Sequence, residues 1–184
     1  RLYVQKKLYD NVVADLVSNT KNIKQGNGME EGTTMGPLIS STQQSRVKGY
    51  IDKGIEEGAE VLTGGDIPFD KGYFVSPTIF ADVNHSMTIA KEEIFGPVVA
   101  AMPFDDIDDL VEKANDSMYG LAAGVWTQDI KKAHYIAHKL KAGTVWVNTY
   151  NTFDAGSPFG GYKQSGLGRE MGSYALDNYT EVKS

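Results

Sequence analysis

VVAAMPFDDIDDLVEKANDSMYGLAAGVWT, residues 98–127, reads as strand, helix, strand, and that order decides the fold. VVAAMPF follows Pro97 as an apolar run of the kind a sheet buries. Asp105 or Asp106 then stands where a helix needs a cap, and Ile107, Leu110, Val111 and Ala114 recur at helical spacing. LAAGVWT resumes as a strand. Downstream the pattern repeats: Asp129 starts a helix with Ala133, Ile136, Ala137 and Leu140 inward, which is expected to end at Gly143 before the strand TVWVN, 144–148. Such alternation specifies an α/β fold, a mostly parallel sheet with helices on both faces, whose ligands lie at the carboxyl ends of the strands.

Upstream, LYDNVVADLVSNTKN (8–22) places Leu8, Val12, Leu16, Val13 and Val17 at helical spacing until the polar, Gly-bearing stretch QGNGMEEGTTMGP stops it. Ser41 or Thr42 can cap a second helix with Val47, Tyr50, Ile51 and Ile55 on one stripe and Gly58 at its C-terminal end. AEVLTGG (59–65) reads as a short strand. GYFVSPTIFADV (72–83) reads as extended, with Pro77 pointing to an edge or an irregularity. The opening RLYVQ reads as the middle of a strand, with neither an initiator Met nor a signal-peptide pattern, so the 184 residues are expected to be a piece of something longer. There is no internal repeat, and residues 1–184 are expected to form a single domain.

At this length and with 41% hydrophobic residues, one domain can bury about 70% of the surface of its unfolded chain. The 24 acidic side chains outnumber the 18 basic ones and no basic cluster exceeds two residues, which disfavours nucleic acid as a partner. No apolar run approaches the ~20 residues needed to span a bilayer, so no membrane partner is expected. The chain has 0 Cys, hence no disulfide framework and no thiolate metal site; this suits a reducing, cytoplasmic compartment.

Several stretches invite a functional reading. GNGMEEG (26–32) approximates a dinucleotide fingerprint, but its last interval is one residue too long and it follows a helix. His134 and His138 are four apart on a helix with no third ligand at suitable spacing, and neighbouring lysines mark a solvated face. The acidic run 105–109 is already explained by a cap and the helix dipole. KEEIFGPV (91–98) is different: Phe95 sits between paired carboxylates and a rigid Gly-Pro. Glu93 is either an exposed acid on a turn before a strand or a ligand-facing carboxylate beside a stacking ring. In the long stretch TYNTFDAGSPFGGYKQSGLG (149–168), Phe153 and Phe159 either plug the core or line a passage for an apolar substrate. Arg169-Glu170 reads as the opening of the last helix, with Glu170 favourable in its first turn.

KEEIFGPV, YGLAAGVWT, AGTVWVN and SPFGGYKQSGLGREMG occur in the same order as in the NAD(P)-dependent aldehyde dehydrogenases, and RLYVQKKLYD resembles the segment that follows that family's nucleophile. Together the resemblance covers nearly the whole chain. It implies that Glu93 holds the ribose hydroxyls next to the nicotinamide of NAD or NADP and that Phe95 packs near that ring. Gln43 and Arg46 match a Gln and a basic residue, commonly Lys, that the family places near the same ribose. By the same resemblance Phe153 and Phe159 line the tunnel for a small-molecule aldehyde, and Glu170 sits on a proton path behind the nucleophile. Asp154 stands where several relatives carry a small residue.

The chemistry so implied is thiolate attack on the aldehyde, hydride transfer to NAD(P)+ and hydrolysis of the resulting thioester. The family's catalytic Cys, general-base Glu and dinucleotide-binding domain all precede the position of Arg1. The chain therefore resembles most of a catalytic domain lacking its first segment, and by itself is expected to be inactive; the alternative is a non-catalytic structural or assembly use of the same fold. Relatives pair tails such as YTEVKS (179–184) across subunits, which implies a homo-oligomer.

Overall fold

The computed structural model describes residues 1–184. They divide into two compact units, Arg1–Asp105 and Asp106–Ser184.

The first unit opens with strand β1 (Leu2–Gln5), which runs directly into helix α1 (Lys6–Thr20). Helix α2 (Ser41–Glu56), strands β2 (Glu60–Thr63) and β3 (Thr78–Ala81), the single-turn helix α3 (Thr88–Lys91) and strand β4 (Val98–Phe104) follow. Their sheet has the order β1-β4-β3-β2. β4 lies parallel to both of its neighbours, with Leu2 opposite Ala101 and Phe80 opposite Ala100, whereas β2 runs antiparallel to β3. The predicted apolar run is thus one of the two inner strands of a mixed α/β sheet. Pro77 does not mark an edge: β3 is paired on both sides, and the proline stands one residue before it, where its missing N–H costs no ladder bond.

Alternation along the strands sends successive side chains to opposite faces. Phe80, Ala100 and Met102 join Val47 and Ile51 of α2 and Ile89 and Ala90 of α3 in one buried cluster. On the other face lie Ile79 and Ala101, also buried, where α1 packs on the sheet and the Tyr9 hydroxyl donates to Ala101 O at 3.1 Å. Each buried Phe, Ile or Val contributes roughly 1.5–3 kcal/mol. α2 approaches α3 closely at Gly54, where a Cβ would lie 3.0 Å from Ile89 Cδ1. The cap of α2 is Ser40, one residue earlier than expected; its extended backbone lets the hydroxyl accept from the Gln43 N–H at 3.2 Å. Gly58 follows the end of α2 with a positive φ, as a C-terminal glycine should.

The second unit contains helix α4 (Ile107–Asn115), strands β5 (Tyr119–Gly120) and β6 (Ala122–Val125), helix α5 (Ile130–Lys139), strands β7 (Thr144–Val147) and β8 (Tyr162–Lys163), and a closing 3-10 helix, Ser173–Asn178. β6 and β7 pair in parallel, β5 and β8 antiparallel. Asp106 and Asp129 cap α4 and α5 through their side chains. The two helices are tied by the Tyr135 hydroxyl donating to the Asp108 carboxylate, and by Asn115, which donates to Lys139 O at 2.9 Å and accepts from Lys141 N at 2.7 Å. α5 ends at Lys139, short of Gly143, because Leu140 already has extended backbone. No helix is long and apolar enough to cross a membrane.

The joint between α2 and α3 is electrostatic as well as apolar. Glu57, the last residue of the α2 turn, accepts from the Thr88 N–H and from its hydroxyl, both at 2.7 Å. These bonds hold its carboxyl below the usual glutamate range. Stability from such a group is fully present above that range and is lost as pH falls through the lower folded value. We therefore expect Glu57→Gln to lower the urea unfolding midpoint at about pH 7, with the gap to wild type narrowing at pH values below the usual glutamate range. An equal gap above and below that range would remove Glu57 from this role.

Candidate functional site

The first candidate site grows from one face of α2. Gln43, Arg46 and Tyr50, spaced by three and four residues, share that face. Opposite them the chain leaves α3 and crosses Glu92–Gly96 before entering β4. Gln43 Nε2 donates to Phe95 O at 2.8 Å and to Ile94 O at 3.4 Å. Arg46 Nη2 donates to Glu93 O at 3.3 Å, and its guanidinium lies 5.7 Å from the centre of the Tyr50 ring. The Tyr50 hydroxyl donates to Glu92 Oε2 at 2.8 Å, which keeps that hydroxyl protonated above the usual tyrosine range. Three consecutive carbonyls and one carboxylate of the turn are thus bonded from a single helix.

The turn has an unusual backbone. Phe95 sits at φ +57°, a region that bulky residues seldom occupy. That conformation buries Ile94 and leaves the Phe95 ring 72% exposed. Gly96 is required by packing, since a Cβ there would lie 2.5 Å from a methyl of buried Val47. Glu93 and Phe95 line an open cleft of about 270 Å³ with Glu92, Ile89 and Val98 among its other walls. Glu93 is exposed, and its carboxylate makes no hydrogen bond or ion pair within the chain. Gln43 spends both amide hydrogens on the turn and keeps its oxygen as an acceptor; Arg46 spends one of five donors. The four residues singled out in the sequence, Gln43, Arg46, Glu93 and Phe95, therefore meet.

The second candidate site lies in the second unit. Phe153 and Phe159 pack edge to face, with ring centres 5.1 Å apart, and Phe153 meets Trp146 in the same way at 5.5 Å. Trp146 is anchored by its Nε1–H, which donates to Thr152 O at 2.8 Å. Phe159 and Glu170 form a two-bond antiparallel bridge, N–H to O at 2.7 Å in each direction, which sets Glu170 directly opposite Phe159. This corrects the expectation that Glu170 opens the last helix: Met171 and Gly172 both have positive φ, and the 3-10 helix starts only at Ser173. Asp154 serves the loop itself, its Oδ1 accepting from Gly156 N at 2.7 Å. Sequence reasoning passed over Tyr50 and Trp146. Tyr50 was assigned to an apolar stripe, and an i+4 spacing from Arg46 was the signal that could have moved it to the polar face.

The remaining stretches stay with their plainer readings. GNGMEEG lies in a loop after α1, closed by Thr34 and Met35 N–H groups donating to Lys24 O. His134 and His138 are exposed on α5, and His138 Nδ1 lies 2.9 Å from His134 O.

Comparison with known proteins bears on the family of the chain. The model of the aldehyde dehydrogenase family matches residues 1–184. A solved NAD+ complex of an aldehyde dehydrogenase from Bacillus cereus is 61% identical and superposes with a TM-score of 0.96 over 98% of this chain and 37% of that one. The mitochondrial aldehyde dehydrogenase of Homo sapiens is 52% identical over 100% of this chain and 36% of its own length. A betaine aldehyde dehydrogenase of Brucella melitensis is 48% identical, with 100% and 39% covered. The chain spans little more than a third of these relatives, and across its whole length it belongs to the aldehyde dehydrogenase family.

Proposed function

We propose that residues 1–184 are part of one catalytic domain of an enzyme that oxidises a small-molecule aldehyde to a carboxylic acid with NAD or NADP, and that they supply the nicotinamide-side wall of its site. The observation that carries this reading is the unpartnered Glu93 carboxylate beside the exposed Phe95 ring, on a turn braced from α2. Such a carboxylate can accept from both hydroxyls of a ribose, a pair of charge-assisted bonds that fixes position without entering bond-making. The Phe95 ring offers an apolar flank for a nicotinamide, and the free Gln43 oxygen is a further acceptor nearby. The residues present thus fit the ribose end of the cofactor, and the NAD+ carried by the Bacillus cereus relative agrees. When bound, the cofactor supplies the hydride acceptor.

In the second unit, the Phe153–Phe159 pair offers an apolar wall for an aldehyde, and the exposed Glu170 carboxylate is the group to hold or pass a proton. None of the 184 residues is a Cys, so in this reading the nucleophile comes from chain outside these residues. Ser157 is no substitute, because no His stands in its loop to act as base. We further propose that the parent protein is a homo-oligomer, supported by the exposure of Leu167, Leu176, Tyr179 and Val182 near the C-terminus.

Three measurements test these readings. Glu93→Gln, made in a version of the protein that contains the nucleophile, should lower kcat by roughly 10- to 100-fold, since a misplacement of about 1 Å costs that much; an unchanged kcat defeats the assignment. An assay of NADH or NADPH formation with several aldehydes should find no activity in the 184-residue chain and activity in a version extended through the preceding residues. Activity in the short chain overturns the reading, and its absence from the extended protein favours the structural or assembly alternative. The same exposed apolar side chains should make the 184-residue chain self-associate, with light scattering showing mass rising with concentration; a monomer mass throughout would reject that self-association.

A further inference from the structure

We propose that Tyr50 and Glu92 are positioning residues for the Glu93–Phe95 turn, a latch that acts through that turn on whatever its carboxylate and ring hold. The inference rests on the reading of the turn as the nicotinamide-side wall. Backbone order cannot reach Glu93 from α3, because that helix has only four residues and Glu92 leaves it in an extended conformation, φ −103° and ψ 152°. The Gln43 and Arg46 bonds fix the carbonyls of Glu93, Ile94 and Phe95; at the entry to the turn the Glu92 N–H donates to Thr88 O at 2.9 Å, and a side chain adds a second hold across 42 residues of sequence, Glu92 Oε2 accepting from the Tyr50 hydroxyl at 2.8 Å. Tyr50 acts twice, since its ring also lies under the Arg46 guanidinium that donates to Glu93 O. Removing the hydroxyl frees the Glu92 carboxylate and leaves the entry to the turn held only by the Glu92 N–H, which donates to Thr88 O at 2.9 Å. Removing the whole ring would also release Arg46.

The test uses the full-length protein and two kinds of reading. Tyr50→Phe deletes the donor but keeps the ring, Glu92→Ala deletes the acceptor, and Glu92→Gln keeps an acceptor oxygen. Hydrogen exchange of the Glu92 amide, which donates to Thr88 O at 2.9 Å, should quicken about three- to tenfold in Tyr50→Phe and in Glu92→Ala, with the rest of the chain unchanged, as expected for losing one exposed hydrogen bond to a charged group. Glu92→Gln should restore most of the protection. With an aldehyde and NAD+, the same two variants should lose roughly three- to tenfold in kcat at an unchanged KM for the aldehyde, and the double variant should be no worse than either single one. Exchange unchanged at the Glu92 amide, exchange raised across the whole chain, or additive losses in the double variant would each overturn the latch. A wild-type protein inactive with every aldehyde would sink the functional reading instead, while the exchange measurement would still decide whether the latch exists.

Discussion

The arrangement depends on a backbone constraint at Phe95. A positive φ at a bulky residue costs of order 1–3 kcal/mol and persists only where the surroundings over-determine it. Here it turns the carbonyls of Glu93, Ile94 and Phe95 toward one side, where each needs a donor. α2 supplies those donors from side chains, Gln43 and Arg46, and holds the turn from beneath through the contact of Gly96 with Val47. The consequence is a division of side chains: Ile94 is pressed into the core, while Glu93 and Phe95 face outward on a stiff support. A loop held only by its ends could present the same residues but could not keep them in one geometry.

The same economy explains why α2 carries a glycine in its interior. Gly54 costs about 1 kcal/mol in helix propensity relative to Ala, yet it lets Ile89 of α3 lie against α2. With Glu57 capping Thr88 next to it, α3 is fixed at its first residue, and the four-residue helix delivers the chain to Glu92 at a defined height along α2. Apolar packing thus sets the approach of the segment, and polar bonds set its register.

Much of this was legible in the residues. The strand 98–104, a cap at Asp105 or Asp106, the cap at Asp129 and the α/β order follow from apolar runs and periodicity, because those signals are local; the structure selects Asp106. Local signals also explain the errors. Ser40, Ser41 and Thr42 all carry a hydroxyl able to cap, and only the extended backbone at Ser40 selects it. Pro77 left an edge or an irregularity open, because composition cannot show that β3 starts one residue later and is paired on both sides. Glu170 looked like a helix opening because REMG says nothing of its pairing with Phe159 eleven residues before. Phe153 and Phe159 could plug a core or line a passage; they form an edge-to-face pair against Trp146 in which Phe153 remains 46% exposed, so one pair both packs and presents an apolar surface.

Arg46 shows how far a residue's role depends on its neighbours rather than on its charge. A lysine at this position could still reach the Glu93 carbonyl, but its ammonium is a point charge on a flexible stem, without the planar group that stacks on an aromatic face. In this chain the guanidinium lies over Tyr50, and Tyr50 in turn holds Glu92. The three side chains form a bonded sequence from α2 to the turn, so the orientation of each limits the next. A lysine here would leave the Tyr50–Glu92 bond in place but lose the planar contact with the ring. The arginine and the tyrosine are therefore best understood as a pair, with the ring stiffening the guanidinium and the guanidinium covering the ring.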